Sequence, residues 1–343
     1  MKANRILALL AALFLMISLT ACGKKEAQSG GTSQSSSSAG TPDSDFPDKT
    51  ITLICPYGAG GGTDVIMRAL ANSASKIAGV NIIVQNVTGG NGATGVVTMM
   101  SSKADGYTVG SCQGEWISLE KLGLAPPDFD YNNAELVMHY NFDPACYIVP
   151  IDSPYNTIGD LVTAAKAAPG SIVLGVTAAG GAHHLATLLF ENKSGAEFNV
   201  IPYSDGASAV LTALLSNQVE VASVGPAEAA AQVDAGKAKI LAVCSENHLD
   251  KYPDVPTMTE EGYEVVYGSW RGLAVPSGTP TEIVQKLEQI FYEAAQTDEF
   301  KQLCAENGFT IDLLNKEEFQ KRFQSQEELI DQVCEIYTAQ LKG

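Results

Sequence analysis

The chain of 343 residues is 45% hydrophobic and 17% charged, with a formal net charge of −18. That gives apolar material for a sizeable core and excludes the basic footprint of a nucleic-acid binder. The same negative field repels anions at long range, so an anionic solute has to be held by donors placed locally.

At the N-terminus, Lys2 and Arg5 precede an apolar run over residues 6–19 whose one polar member is Ser18. The run is short for a membrane span and suits the core of a signal peptide. Thr20-Ala21-Cys22 resembles the bacterial lipobox, so residues 1–21 read as a lipoprotein signal and Cys22 as the lipidated residue. The alternative is an ordinary secretory signal with a coincidental cysteine. Loss of Lys2 and Arg5 takes the formal charge from −18 to −20. Residues 22–45, rich in Ser and Gly, cannot bury enough apolar surface to fold and read as a tether of about 27 Å mean reach. The expected location is the extracytoplasmic face of the cell membrane, with lipid attached through Cys22.

After Asp45 enough chain remains for two domains. Short apolar runs alternate with helical patterns, which predicts α/β layers and mostly parallel sheets. Strands are expected at 51–55, 81–84, 107–111, 135–138, 146–149, 172–176, 199–201, 219–223 and 240–244. Helices are expected at 63–78, 93–102, 158–168, 183–193, 207–216 and 227–235. Thr279-Pro280 reads as an N-cap and first-turn proline before a helix whose apolar face carries Ile283, Val284, Leu287, Ile290 and Phe291. The six cysteines after Cys22 are widely spaced with no C-x-x-C pair, so zinc ribbons and thioredoxin chemistry find no support. Export permits disulfides, whereas Cys55 and Cys244 sit in apolar runs that suit buried free thiols.

Glycine loops carry the functional signal. Pro56-Tyr57-Gly58-Ala59-Gly60-Gly61-Gly62-Thr63-Asp64 joins a strand to a helix, the arrangement that aims backbone N–H groups at an anion. It lacks the third glycine of a dinucleotide site and the lysine of a P-loop. A small-carboxylate pocket and a tight turn with spare glycines remain. Similar passages follow at residues 84–92, 175–185 and 202–206. Several such loops at the carboxyl ends of parallel strands are how open α/β sheets bind ligands. Only Arg5, Arg68, Arg271 and Arg322 could clamp an anion through a guanidinium. No catalytic motif is present: there is no G-x-S-x-G and no H-E-x-x-H.

These segments resemble the Bug family, the extracytoplasmic substrate-binding proteins of tripartite tricarboxylate transporters. Pro56, Tyr57, Gly60, Gly61, Thr63, Asp64 and Arg68 match its first loop. Asn86, Gly89 and Gly92 match its second turn, with Val87 and Thr88 in place of Arg-Pro. Asp105-Gly106-Tyr107-Thr108, the loop from Gly175 to Leu185, Pro202-Tyr203, Asp254-Val255-Pro256-Thr257, Gly262, Trp270-x-Gly272 and the run from Ala274 to Pro280 follow in the family's order. The likeness covers about residues 50–295. It implies a two-lobed periplasmic-binding-protein type II fold closing on a carboxylate held largely by loop amides and bridging waters. Lobe one would be residues 46–141 plus 268–343, and lobe two residues 142–267. The family often has Ser at Gly181 and Gly at Ala178, so the identity of the acid is not carried over.

The expected ligand contacts are Tyr57, Gly60, Gly61, Gly62, Thr63 and Asp64 in the first loop, and Gly89, Gly90, Asn91 and Gly92 in the second. Thr177, Ala179, Gly180, Gly181, Ala182 and His184 are expected from the third, with Tyr203, Asp205 and Trp270 beyond it. The amides of residues 60–64 or 180–183 are expected to hold the carboxylate. Tyr57 either closes over the ligand or packs under its loop, and Trp270 either lines the cleft or packs beside the hinge. Asp64 reads as a brace for its helix, because a second carboxylate beside the ligand would repel it. His184 reads as a cap or loop brace, and neighbouring helix positions His183 and His184 diverge too far to share a metal. Neither a metal nor a cofactor is expected. The reading is a monomeric, non-enzymatic solute-binding protein that feeds transporter membrane subunits. Its rivals are an anchored enzyme acting on a carboxylate and a sensing subunit for a receptor kinase.

Overall fold

The computed structural model describes residues 46–203 and 205–342. The expected signal peptide, Cys22 and the tether lie outside the described residues, as does Ser204. No helix among the described residues is long and apolar enough to cross a membrane.

The chain begins with β1 (Ile51–Cys55), α1 (Gly62–Ala78), β2 (Ile82–Asn86), α2 (Ala93–Met100), β3 (Thr108–Gln113), α3 (Glu115–Lys121) and β4 (Ala134–Pro144). A second series follows with β5 (Cys146–Pro150), α4 (Ile158–Ala167), β6 (Val173–Val176), α5 (Ala182–Ser194), β7 (Asn199–Pro202), α6 (Ala207–Leu215), β8 (Val221–Val224), α7 (Pro226–Asp234) and β9 (Ala238–Val243). The chain closes with β10 (Gly268–Pro276), α8 (Thr281–Ala295), α9 (Asp298–Asn307), β11 (Ile311–Leu314) and α10 (Lys316–Lys342).

Two mixed sheets result, ordered β11-β4-β10-β3-β1-β2 and β7-β6-β8-β5-β9. The expectation of mostly parallel sheets is corrected, since four strand pairings are parallel and five antiparallel. The cause is common to both sheets. Three parallel strands in 2-1-3 order are followed by a strand that has just come from the other sheet and runs against them. In the first sheet that strand is β10; in the second it is β5.

Apolar periodicity builds each layer. On α1, Ile66, Met67, Leu70 and Ala74 recur at helical spacing and pack with Val284, Leu287, Ile290 and Phe291 of α8. Gly79 ends α1 in the left-handed region at φ 71°, which L side chains adopt reluctantly. Thr157 and Asp160 form a capping box at the start of α4, satisfying amides that otherwise lack partners. One continuous core runs between the sheets through Trp116, Trp270, Phe319, Tyr267, Tyr147 and Phe190. The six cysteines among the described residues are all buried free thiols.

Several elements differ from expectation. The strand expected at 135–138 is the eleven-residue β4, because it continues towards the second sheet. The helix expected at 93–102 stops at Met100. The expected Thr279 cap is also corrected. Pro280 is the N-cap of α8, and the Thr279 hydroxyl donates to the Pro276 carbonyl at 2.7 Å.

Between β4 and β5 only Ala145 intervenes, and the chain returns from β9 to β10 through residues 244–267. These crossings are tied together. The Ala145 amide donates to Tyr267 at 3.0 Å, Cys244 to Ala145 at 2.8 Å and Tyr267 to Cys244 at 3.0 Å. A Cβ on Gly268 would lie 2.3 Å from the Asp143 carbonyl oxygen and 2.5 Å from Pro144 Cα. Both obstacles are backbone and cannot swing aside. Gly268→Ala should therefore cost about 1–3 kcal/mol by overpacking. Urea midpoints measure this, and an unchanged midpoint would show that the crossing has room.

Candidate functional site

A cavity of about 1090 Å³ opens between the loops of the two sheets. Its wall on one side is the β1–α1 loop, the turn at residues 88–92, Gln113, Glu115, Ser269 and Arg271. Opposite stand Thr177, Ala178, Gly181, His183, Asp205 and the start of α7 with Glu228.

The first loop is shaped by Asp64. Its buried carboxylate accepts from the Gly60 amide at 2.9 Å, Arg68 Nε at 3.1 Å and Asn86 Nδ2 at 2.8 Å. Burial alone would raise its pKa, but these bonds outweigh burial and hold it below the usual range. The Gly61 amide turns back on the Gly58 carbonyl at 3.3 Å, and the first bond of α1 runs from Val65 to Gly61 at 3.0 Å. The amides of Gly62, Thr63 and Asp64 precede that bond and are the open donors of this helix end. In the next loop, Gly92 has φ 94°, and a Cβ there would press on the Tyr57 ring at 3.3 Å. Burial raises the Tyr57 pKa well above its ordinary value, so the hydroxyl keeps its proton.

Arg271 is the centre of the wall. It is 4% exposed, its Nε donates to Thr63 Oγ1 at 3.0 Å, and its Nη1 donates to Asn141 Oδ1. Asp143 Oδ2 lies 3.6 Å from Nη1. Thr63 Oγ1 also accepts from Gln113 Nε2 at 3.1 Å. Nη2 has no protein acceptor among the described residues and sits 3.3 Å from where a Gly62 Cβ would project. Burial pushes Asp143 up to about 7 against the opposing pull of Arg271. Burial also raises Glu115, an effect reduced by its own amide, by Arg271 and by the Ala182 amide. His183 is held neutral by desolvation, which lowers its pKa. Its Nδ1 meets Thr177 Oγ1 at 3.0 Å, while Nε2 is buried without a partner.

Of the expected contacts, Tyr57, Gly60, Gly61, Gly62, Thr63, Gly89, Gly90, Asn91, Gly92, Thr177, Gly181 and Asp205 line this cavity. Seven do not line it. Asp64 lies behind its loop as the brace described above. Ala179 points to solvent. The Gly180 amide is spent on His184 Nδ1 at 3.0 Å, and a Cβ at Gly180 would meet Leu122 at 2.9 Å. The Ala182 amide faces the Glu115 carboxylate. His184 braces its loop and packs edge-on against Tyr337. Tyr203 lies under Gly175. Trp270 is 1% exposed and packs on Phe319 and Phe323, so its packing role holds.

Sequence reasoning missed Gln113, Glu115, His183 and Glu228, and did not place Arg271 on the wall. Strand alternation supplies one signal. With Trp270 turned into the core, Ser269 and Arg271 must face the other way. Glu228 could have been found as the third residue of a helix that opens with Gly225-Pro226, where its Oε2 accepts from the Gly225 amide at 2.9 Å. Among the described residues no cluster of three His, Cys, Asp or Glu is arranged to hold a metal.

Two 2-1-3 sheets, paired crossings and a cleft rimmed by helix N-termini define a two-lobed, type II solute-binding protein. The family model described as "Tripartite tricarboxylate transporter family receptor" matches residues 66–336. A Cupriavidus necator protein named "UPF0065 protein in gbd 5'region" is 33% identical over 277 residues, 80% of this chain and 83% of its own. A TctC solute-binding protein from Polaromonas is similar at TM-score 0.70 and 32% identity, covering 84% of this chain and 98% of its own. An R. palustris protein solved with adipate aligns at TM-score 0.79 and 25% identity, over 85% of this chain and 98% of its own. This chain belongs to the tripartite tricarboxylate transporter receptor family. It is an extracytoplasmic solute-binding receptor and not an enzyme.

Burial of Asp143 makes a pH prediction with a definite sign. Its folded pKa of about 7 lies above the ordinary 3.8, so the native state loses stability as pH rises through that interval. Asp143→Asn has no such loss. The variant should therefore gain on the wild type between pH 5 and pH 8, by at most about 3 kcal/mol. Urea denaturation across this range measures the gap, and a gap independent of pH would show that Asp143 ionises normally.

Proposed function

We propose that this receptor is anchored by lipid at Cys22, captures a small carboxylate in the cleft as a monomer, and hands it to the transporter's membrane subunits. One observation carries the reading: the Arg271 guanidinium lines the cleft with Nη2 free of any protein acceptor among the described residues, beside the open N-terminus of α1. A carboxylate there can accept from Nη2 while also taking the amides of Gly62, Thr63 and Asp64. Each charge-assisted bond contributes about 1.5–3 kcal/mol net, and the helix end adds about 0.3–1 kcal/mol. Together they support micromolar binding, about −8 kcal/mol, after the cost of closing the lobes. The neighbour solved with adipate supports the ligand class. In this reading residues 46–141 with 268–343 move as one lobe against residues 142–267, hinged near Ala145 and Tyr267.

A thermal-shift panel of mono-, di- and tricarboxylates, with and without amino groups, identifies the best ligand for titration. Arg271→Met and Gly62→Val should each weaken it by about 10- to 100-fold, the first by removing the donor and the second by filling the space before it. Wild-type affinity in both variants would place the carboxylate elsewhere.

The anchor is supported by Lys2, Arg5, the apolar run and Thr20-Ala21-Cys22. Cys22→Ala should move the protein from the membrane fraction to the soluble fraction. Retention of the processed variant on membranes would overturn the lipid assignment.

A further inference from the structure

The charges on the cleft wall restrict the solute further than the word carboxylate does. This step rests on the carboxylate reading above. Among the described residues that line the cavity, Arg271 is the one guanidinium or ammonium, whereas Glu115, Asp205 and Glu228 are acids. Asp143 adds a further carboxyl directly behind Arg271. A second or third carboxylate on the solute would find no cation among these lining residues and would approach the side chains of Asp205 and Glu228 instead.

The arrangement is specific as well as negative. Glu228 Oε1 and Arg271 Nη2 flank one point in the cleft, 3.6 and 3.3 Å from the position a Gly62 Cβ would occupy. They come from opposite sides, Arg271 from β10 of the first sheet and Glu228 from α7, which follows β8 of the second. An acceptor for a cation and a donor for an anion therefore stand side by side across the cleft. Two groups bordering the cavity leave buried polar atoms unpartnered, and a third opens on it. His183 is 5% exposed with Nε2 unpartnered, Glu115 Oε2 is shut from water with no donor, and Arg271 Nη2 has no protein acceptor among the described residues. Glu115 also faces the Ala182 amide at the α5 helix end.

We infer that the solute is amphoteric: one carboxylate bound at Arg271 and the α1 amides, and an ammonium group received by Glu228 and Glu115. The closeness of this donor set to the Glu228 acceptor favours a molecule whose carboxylate and ammonium are separated by one or a few carbons. Glu228 reaches the ammonium from the opposite lobe, so such a solute links the two sides and draws them together.

Isothermal titration of matched pairs tests this with the full chain: alanine against propionate, 4-aminobutyrate against butyrate, and glutamate against glutarate. The preferred amino member should bind about tenfold or more tightly than its desamino partner. Glu228→Gln and Glu115→Gln should each shrink that ratio by weakening the amino acid and tightening the desamino acid. A lost preference with improved binding of the plain acid is a result that mere loss of structure cannot give. Plain acids binding as tightly as amino acids in the wild type, and still losing affinity on Arg271→Met, would overturn the amphoteric inference and leave carboxylate capture standing. Binding of n-butylamine undiminished by Arg271→Met would overturn carboxylate capture itself. No binding anywhere in the panel would overturn both.

Discussion

A guanidinium removed from water has to be held by its neighbours, and the arrangement around Arg271 follows from that need. Thr63 at the start of α1 accepts from Nε, Asn141 of β4 accepts from Nη1, and Asp143 lies beside the same nitrogen. Three elements far apart in sequence are thereby fixed around one side chain. Burying a charge costs several kcal/mol unless it is paired, and here the pairing is incomplete on the side facing the cleft. In the proposed reading a bound carboxylate completes it. Ligand occupancy and fold stability are consequently linked, and an excess of 100 times the Kd would add about 2.7 kcal/mol.

The same region governs how the halves can move. Ala145, Cys244 and Tyr267 exchange backbone hydrogen bonds where the two connections pass between sheets. The long α10 packs on β4, α3 and α5, so it contacts elements attached to both sheets. Tyr337 on α10 meets His184, and Leu122 presses on the Gly180 loop. Any rotation about the crossings would have to slide these contacts.

Much of this organisation was legible in the sequence. Strand, glycine turn and helix start are local signals, and the loops at 56–64, 84–92 and 175–185 all stand at strand ends as their residues predict. What escaped was set by tertiary placement. The third loop looks like an amide cradle, yet Gly180 gives its N–H to His184 and Ala182 turns its own towards Glu115, a residue 67 positions earlier in the chain. No local pattern shows that a carboxylate so distant in sequence will face a helix end. Parallel order was overestimated for a similar reason. Nothing inside β5 or β10 shows that each enters its sheet from the opposite half and runs against its neighbours. Trp270 was ambiguous because strand polarity depends on which face meets the core, and Phe319 and Phe323 decide that from the far end of the chain.

Cys55, Cys112, Cys146, Cys244, Cys304 and Cys334 are each enclosed as free thiols. Burial pushes Cys304 up to about 12 and Cys334 up to about 11, and it raises the others as well. The nucleophilic thiolate is therefore scarce in the native state at neutral pH. The described fold holds no disulfide, so its native stability draws nothing from the redox poise outside the cytoplasm. Its vulnerable interval is the unfolded one, when six thiols meet an oxidising compartment together. Rapid burial of the core then serves as chemical protection, and mutations that slow folding would show first as covalently cross-linked misfolded chains.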